Sequence, residues 1–212
     1  MSKELPFRFE PESHRYYLGD VELPGTTRTI ADVVGVGWQA DQWFLDRGSK
    51  VHAAAKLLVE ERLDWASVDP QIEGRVRGIK RFLDDFPMSA VQAEHQLVSR
   101  RYRYAGTLDL WGKRGGKTVL CDFKGTIDPR VDFQLGSYSL LLLENHQEIV
   151  SEAYAVELFD DAHYKLRIGV RGYSRKAHFD LNEAEKSWLA VLQVRGAMAR
   201  RNLLPKQKQK ET

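Results

Sequence analysis

The chain predicts an α/β fold, a mixed central β-sheet flanked by helices. Residues in the first half recur at helical spacing, the middle switches to period-two alternation over three successive segments, and the last third returns to helix, two strands and helix. At 212 residues, 42% hydrophobic and 29% charged, the chain can bury a sizeable core and is too apolar to be disordered throughout. We read residues 1–204 as one domain with an N-terminal hairpin, and 205–212 as a disordered basic tail.

Each element has a local reason. From Phe7 to Leu23 polar and apolar residues alternate around Leu18-Gly19-Asp20, the pattern of a hairpin, and Pro24-Gly25 ends it. Ile30 to about Glu61 is helix-prone, broken near Gly35-Val36-Gly37, with one long helix from about Gln39. Asp69-Pro70 signals a further helix carrying Ile72, Val76, Ile79, Phe82 and Leu83, and Phe86-Pro87 stops it. Strands follow from Val91 to Val98, Tyr102 to Trp111 and Thr118 to Phe123, the last two joined by a loop from Gly112 to Gly116. Val131 to Asn145 is helical, Val150 to Leu158 and Tyr164 to Val170 are strands, and Leu181 to about Arg201 is the final helix.

Composition excludes several function classes. The 32 basic against 30 acidic residues leave a formal +2, so no uniformly basic coat exists, only room for a local groove. One cysteine, Cys121, excludes an intramolecular disulfide and any multi-cysteine zinc or iron–sulfur site within this chain. No apolar run, Leu140 to Leu143 included, approaches the roughly 20 residues of a membrane helix, and Met1 to Tyr17 lacks a signal-peptide core. A cytoplasmic protein without a membrane partner is the expectation. GxGxxG and GxxxxGK[ST] are absent, so dinucleotide and P-loop chemistry lose their usual support.

The chemistry-bearing residues sit at strand ends. Asp109 is flanked by Leu108 and Leu110, and Asp122 is followed two positions later, on the same side of the strand, by Lys124. If those strands pair, the two acids converge and repel unless a cation lies between them, and oxygen ligands favour Mg²⁺ or Mn²⁺ over zinc. A divalent ion with an ammonium group beside it is what phosphodiester hydrolysis requires. Glu94 adds a third carboxylate if its face agrees with that of Asp109. Blander readings stand beside these: a strand-edge acid, a surface Asp122–Lys124 pair worth about 0–1 kcal/mol, a core His52, a core Tyr138 and a surface Gln134.

These residues resemble the PD-(D/E)XK nucleases, in particular their RecB-like and phage-type exonuclease branch. The resemblance spans about Gly48 to Tyr138: GxxxH at Gly48 to His52, GxxD at Gly106 to Asp109, D-x-K at Asp122 to Lys124, and a glutamine and tyrosine one helical turn apart at Gln134 and Tyr138. It implies a restriction-endonuclease-like core and a Mg²⁺-dependent nuclease, with Mn²⁺ substituting, acting in DNA repair, recombination or phage DNA processing. Asp109, Asp122 and the Phe123 carbonyl would hold metal, with His52 a metal or phosphate contact and Glu94 the acid of the first core strand. Lys124 would orient or activate water, and Gln134 with Tyr138 would position the scissile strand. The four-cysteine iron–sulfur clamp of some relatives is missing. The hairpin and Thr26 to Thr29 are similar to those of small phage-encoded members.

The resemblance implies linear duplex or single-stranded DNA ends as partner, and leaves open a homo-oligomer and a recombination or replication partner protein. A structure-specific endonuclease and a catalytically silent nucleic-acid-binding module are the alternatives. Two basic clusters suit a polyanion: Arg195, Arg200, Arg201, Lys206, Lys208 and Lys210 near the end, and Arg100, Arg101 and Arg103 beside Tyr102 and Tyr104, placed for backbone contact and base stacking. Either is equally readable as soluble surface.

Overall fold

The computed structural model describes residues 5–35, 42–172 and 174–205. Strands β1 (Phe7–Glu10), β2 (Arg15–Leu18) and β3 (Val21–Leu23) form an antiparallel sheet of their own. Helices α1 (Thr26–Val34), α2 (Gln42–Val59) and α3 (Pro70–Asp85) follow. Then come β4 (Ser89–Ser99), β5 (Tyr104–Arg114), β6 (Lys117–Lys124), α4 (Val131–His146), β7 (Val150–Leu158), β8 (Tyr164–Val170), β9 (Phe179–Asp180) and α5 (Leu181–Arg200). The large sheet runs β4-β5-β6-β7-β8-β9.

That sheet is mixed. Its pairs are antiparallel except β6 with β7 and β8 with β9. A parallel neighbour cannot be reached by a tight turn, so α4 serves as the β6–β7 crossover. Helices α2 and α3 cover one face, over Leu110, Val119, Cys121, Phe123 and Tyr154. Helices α1, α4 and α5 cover the other, over Leu97, Leu108, Leu120, Ala153 and Ala155. The expected α/β class, a mixed sheet flanked by helices, is the one found.

Local chemistry explains the boundaries. Asp69 accepts the Gln71 N–H at the start of α3 with Pro70 in its first turn, and Asp180 does the same for Asn182 at α5. Gln147, in the left-handed conformation, ends α4.

Four sequence expectations need correction. The entry hairpin is a three-stranded meander, because a second reversal at Pro11–His14 adds β1 ahead of the Gly19 turn. Helix α1 starts at Thr26 rather than Ile30. The loop read from Gly112 to Gly116 is a two-residue turn: β5 continues to Arg114, and Gly115 and Gly116 adopt φ of 57° and 77°, as a tight hairpin of twisted strands requires. Arg195 does not add to an open basic face; it pairs with the buried Asp32 of α1 at 2.9 Å and ties α5 to α1.

The short 3-10 turn Trp65–Ser67 and β9 carry no periodicity and were not anticipated. The expected break at Val36–Gly37, the helix start at Gln39 and the basic tail from Lys206 lie outside the described residues. Among the described residues no helix is long and apolar enough to cross a membrane.

Candidate metal centre

The site forms where β5 and β6 part. Their ladder is recorded from Arg114–Lys117 to Leu110–Cys121, and one step further the Asp109 carboxylate accepts the Phe123 backbone N–H at 2.7 Å. An acid thus takes up a main-chain donor at the fork. Leu108 packs in the core beneath α4 and α5 whereas Leu110 packs in the core beneath α2 and α3, so strict alternation slips at Asp109.

On the other side of β5, the pairs Ala93–Leu110 and His95–Leu108 bracket Glu94 opposite Asp109. Glu94 has φ of 51°, a left-handed backbone that costs a non-glycine residue on the order of 1–2 kcal/mol. Strain of this kind persists where surrounding structure enforces it and is frequent at functional sites.

His52 of α2 completes the group from the helical layer above. Its Nδ1 lies 3.2 Å from Glu94 Oε1 and 3.3 Å from Asp109 Oδ1. One ligand atom from each of His52, Glu94 and Asp109 falls within 4.8 Å of the others, a spacing suited to one divalent ion. The Asp109 charge draws the His52 pKa up to about 10, against burial, so in the metal-free protein an imidazolium serves as counter-cation to the carboxylates. Burial works to raise Asp109, but the charge and hydrogen bond of His52, with the Lys124 charge and the Phe123 N–H, together outweigh it and hold the carboxyl below its ordinary value.

Asp122 and Lys124 stand on the β6 side of the fork. Asp122 is fully buried, with Oδ1 accepting from Gln134 Nε2 at 2.9 Å. Its Oδ2 is 2.6 Å from Lys124 Nζ, the charged partner of this oxygen. A carboxylate buried this completely is costly even when paired, and a second cation beside it would lower that cost. Burial, with Asp109 nearby, pushes Asp122 up to about 6 against the pull of Lys124. Lys124 is raised by Asp122 and Asp109, which outweigh its own burial, and remains an ammonium.

Gln134 and Tyr138 support this half from α4. Gln134 Nε2 lies 2.9 Å from Tyr138 Oη as well as from Asp122. Both residues are buried, so neither is surface decoration. Gly106 of β5 permits the approach: a Cβ there would stand 2.7 Å from the Tyr138 ring.

The eight residues singled out from sequence therefore gather at one fork, in two groups. His52, Glu94 and Asp109 converge as one cluster, and Asp122, Lys124, Gln134 and Tyr138 as another, joined through the Phe123 N–H bond to Asp109. Asp122 is outside the three-ligand cluster. Sequence reasoning missed Tyr16 of β2, buried, with its hydroxyl 2.9 Å from Thr107 Oγ1 and 3.0 Å from His14 Nε2. Glu94 and Asp109 both reach Tyr16 electrostatically, adding to the burial that lifts its hydroxyl to about 12. No spacing rule links β2 to β5, so no sequence signal pointed there.

One further expectation fails. Tyr104 cannot stack on a base, because it is fully buried against Trp188 and donates its hydroxyl to the Ser137 carbonyl. The neighbouring Arg100 and Arg101 backbone N–H groups are held by Glu144, which makes that segment a braced turn.

No protein-family model and no curated protein matches the chain by sequence. Among solved structures, the chain is similar to a "putative exonuclease" from Eubacterium rectale, at 12% identity and a TM-score of 0.48, over 90% of this chain and 80% of that one.

Proposed function

We propose that this chain is a metal-dependent deoxyribonuclease of the PD-(D/E)XK kind, hydrolysing phosphodiester bonds and acting from DNA ends. One observation carries the reading: Asp109, Asp122, Glu94, His52 and Lys124 crowd the fork of β5 and β6, with Asp122 fully buried against the Lys124 ammonium. A fully buried acid beside a second acid is costlier than a structural ion pair at the surface.

The donors fit a hard divalent ion. His52, Glu94 and Asp109 would hold it, and Asp122 and the Phe123 carbonyl would be further oxygen donors to it. Bound there, Mg²⁺ or Mn²⁺ supplies Lewis acidity toward a phosphoryl oxygen and lowers the pKa of water. Lys124 offsets the negative charge that develops on the phosphoryl oxygens as water adds and the P–O ester bond breaks. Gln134 fixes the Asp122 carboxylate by its Oδ1, and Tyr138 fixes Gln134, so the acid faces the fork at one angle.

The test incubates the protein with linear and covalently closed circular DNA in Mg²⁺, in Mn²⁺ and in EDTA. Degradation of linear DNA alone, abolished by EDTA, is expected. Nicking of closed circles would replace the end-directed reading with an endonuclease. DNA binding without cleavage in either metal would leave a silent binding module.

A further inference from the structure

Arg47 of α2 and Arg75 of α3 converge on a single carboxylate, that of Asp160 in the turn joining β7 to β8. Arg75 Nε donates to Asp160 Oδ1 at 2.8 Å, and Arg47 Nη2 donates to the same oxygen. The Arg75 hydrogen bond, with that of Arg47, outweighs the little burial there is and holds the Asp160 carboxyl below its usual value. Two guanidiniums facing one ionised acid leave a positive charge in excess. A buried acid such as Asp32, 3% exposed, needs the two arginines that hold it, Arg28 and Arg195. Asp160, 63% exposed, is solvated by water and needs neither.

The two arginines are committed to different degrees. Arg47 Nε and Nη2 also donate to the Gln71 carbonyl at 3.0 and 2.7 Å, which fixes Arg47 between α2 and α3. Arg75 uses its Nε alone. Among the described residues its Nη1 and Nη2 have no acceptor, so the outer edge of this guanidinium keeps its N–H donors free, on a side chain that reaches water.

That edge lies next to the site. A Cβ at Gly125 would stand 2.8 Å from Arg75 Nη1, so the guanidinium rests against the main chain one residue beyond Lys124. The β6–β7 ladder pairs Lys124 with Glu157, three residues before Asp160, which puts Lys124, Asp160 and Arg75 at one end of the sheet. Gly74 brings α3 down onto the turn, since a Cβ there would meet the Asp160 carbonyl oxygen at 1.8 Å.

We propose that Arg75 is a further substrate-binding residue, whose terminal nitrogens grip the DNA backbone phosphate next to the one at Lys124 while Asp160 holds its Nε. The proposal rests on the nuclease reading above and adds a contact outside the metal centre. A planar guanidinium pairs with two phosphate oxygens at once, as an ammonium cannot.

The same ion pair also ties α3 to the β7–β8 turn, and the experiment separates the two uses. Arg75→Gln and Asp160→Asn each break the pair, but only the first removes the guanidinium. Binding to a labelled duplex dodecamer is measured by fluorescence anisotropy in EDTA over a range of salt, with thermal melting to show that each variant folds. Arg75→Gln is expected to bind about tenfold more weakly than the wild type, and its slope of log affinity against log salt to be shallower by about 0.9, one phosphate contact. Asp160→Asn keeps the wild-type slope and binds at least as tightly.

An unchanged slope in Arg75→Gln, an equal loss in Asp160→Asn, or no binding by the wild type overturns the proposal. Cleavage of linear DNA by the wild type in Mg²⁺ is scored in parallel. Cleavage without the slope change removes Arg75 from the substrate path and keeps the nuclease; the slope change without cleavage keeps the phosphate contact and removes the nuclease.

Discussion

The two ends of the β5–β6 hairpin carry the same chemical pair, a lysine beside an acid, and treat it in opposite ways. At the Gly115-Gly116 end Lys113 pairs with Glu148, while Thr118 Oγ1 bonds both partners. At the fork end Lys124 pairs with Asp122. The lysines are similarly exposed, 32% and 26%, but the acids are not: Glu148 keeps 26% of its side chain in water and Asp122 none. The pKa directions follow. Hydrogen bonds from Lys113 and Thr118 hold Glu148 below the usual carboxylate value, whereas burial pushes Asp122 up to about 6. A partly exposed ion pair braces a hairpin; one with its acid fully buried is held at a cost that a further cation and a substrate can relieve.

The sharpest way to break this contrast is to delete each lysine. Lys124→Ala is expected to lower cleavage of linear DNA by about 10³-fold, the range for losing a charge-stabilising donor, with DNA binding retained. Asp109→Asn and Asp122→Asn are expected to do the same. Lys113→Ala should leave cleavage unchanged and shift the unfolding free energy by less than about 1 kcal/mol, as exposed pairs do. Equal losses at the two lysines would end the distinction between the ends.

A smaller effect sharpens it. Gln134→Leu removes the hydrogen bond that aims Asp122 and should cost about 10- to 100-fold in activity or in Mg²⁺ affinity. Tyr138→Phe, one bond further out, should cost less than Gln134→Leu in the same assay. The reverse order would place Tyr138 on the substrate instead of behind Gln134.

The pH dependence of the metal-free protein is the mildest test. Asp122 is raised from 3.8 to about 6 and His52 from 6.5 to about 10. In both cases the folded state holds its proton more tightly than the unfolded state, so each contribution is present at low pH and lost as pH rises through its window. In EDTA, stability from denaturant titrations should fall between pH 4 and 6 and again between pH 6.5 and 10. Asp122→Asn should flatten the first fall, on the order of 3 kcal/mol. Glu148, being lowered, works the other way: its contribution is present at neutral pH and lost on acidification. An unchanged slope in Asp122→Asn would show that this acid is not the strained group.

Much of the site was legible because its spacings are local. D-x-K places Asp122 and Lys124 on one side of a strand, and four residues of helix place Gln134 one turn from Tyr138, whatever the rest of the chain does. The convergence of Asp109 with Asp122 followed from assuming a hairpin through the glycine loop Gly112 to Gly116. The strands from Val150 and Tyr164 and the helix from Val131 were equally plain, since each is a run rich in apolar residues and its ends agree with the structure to within a residue.

The sequence by itself determined which acids, lysine, glutamine and tyrosine were candidates and in what order they occur. Tertiary structure alone decided the rest: that Glu94 takes a left-handed backbone opposite Asp109, that Asp109 accepts the Phe123 N–H, that His52 comes down from α2 onto both acids, that Tyr16 stands behind Thr107, and that Tyr104 is sealed in the core. The physical reason is that periodicity and capping act over a few residues. Which strand faces which helix, and which charge is buried, depends on packing between segments tens of residues apart.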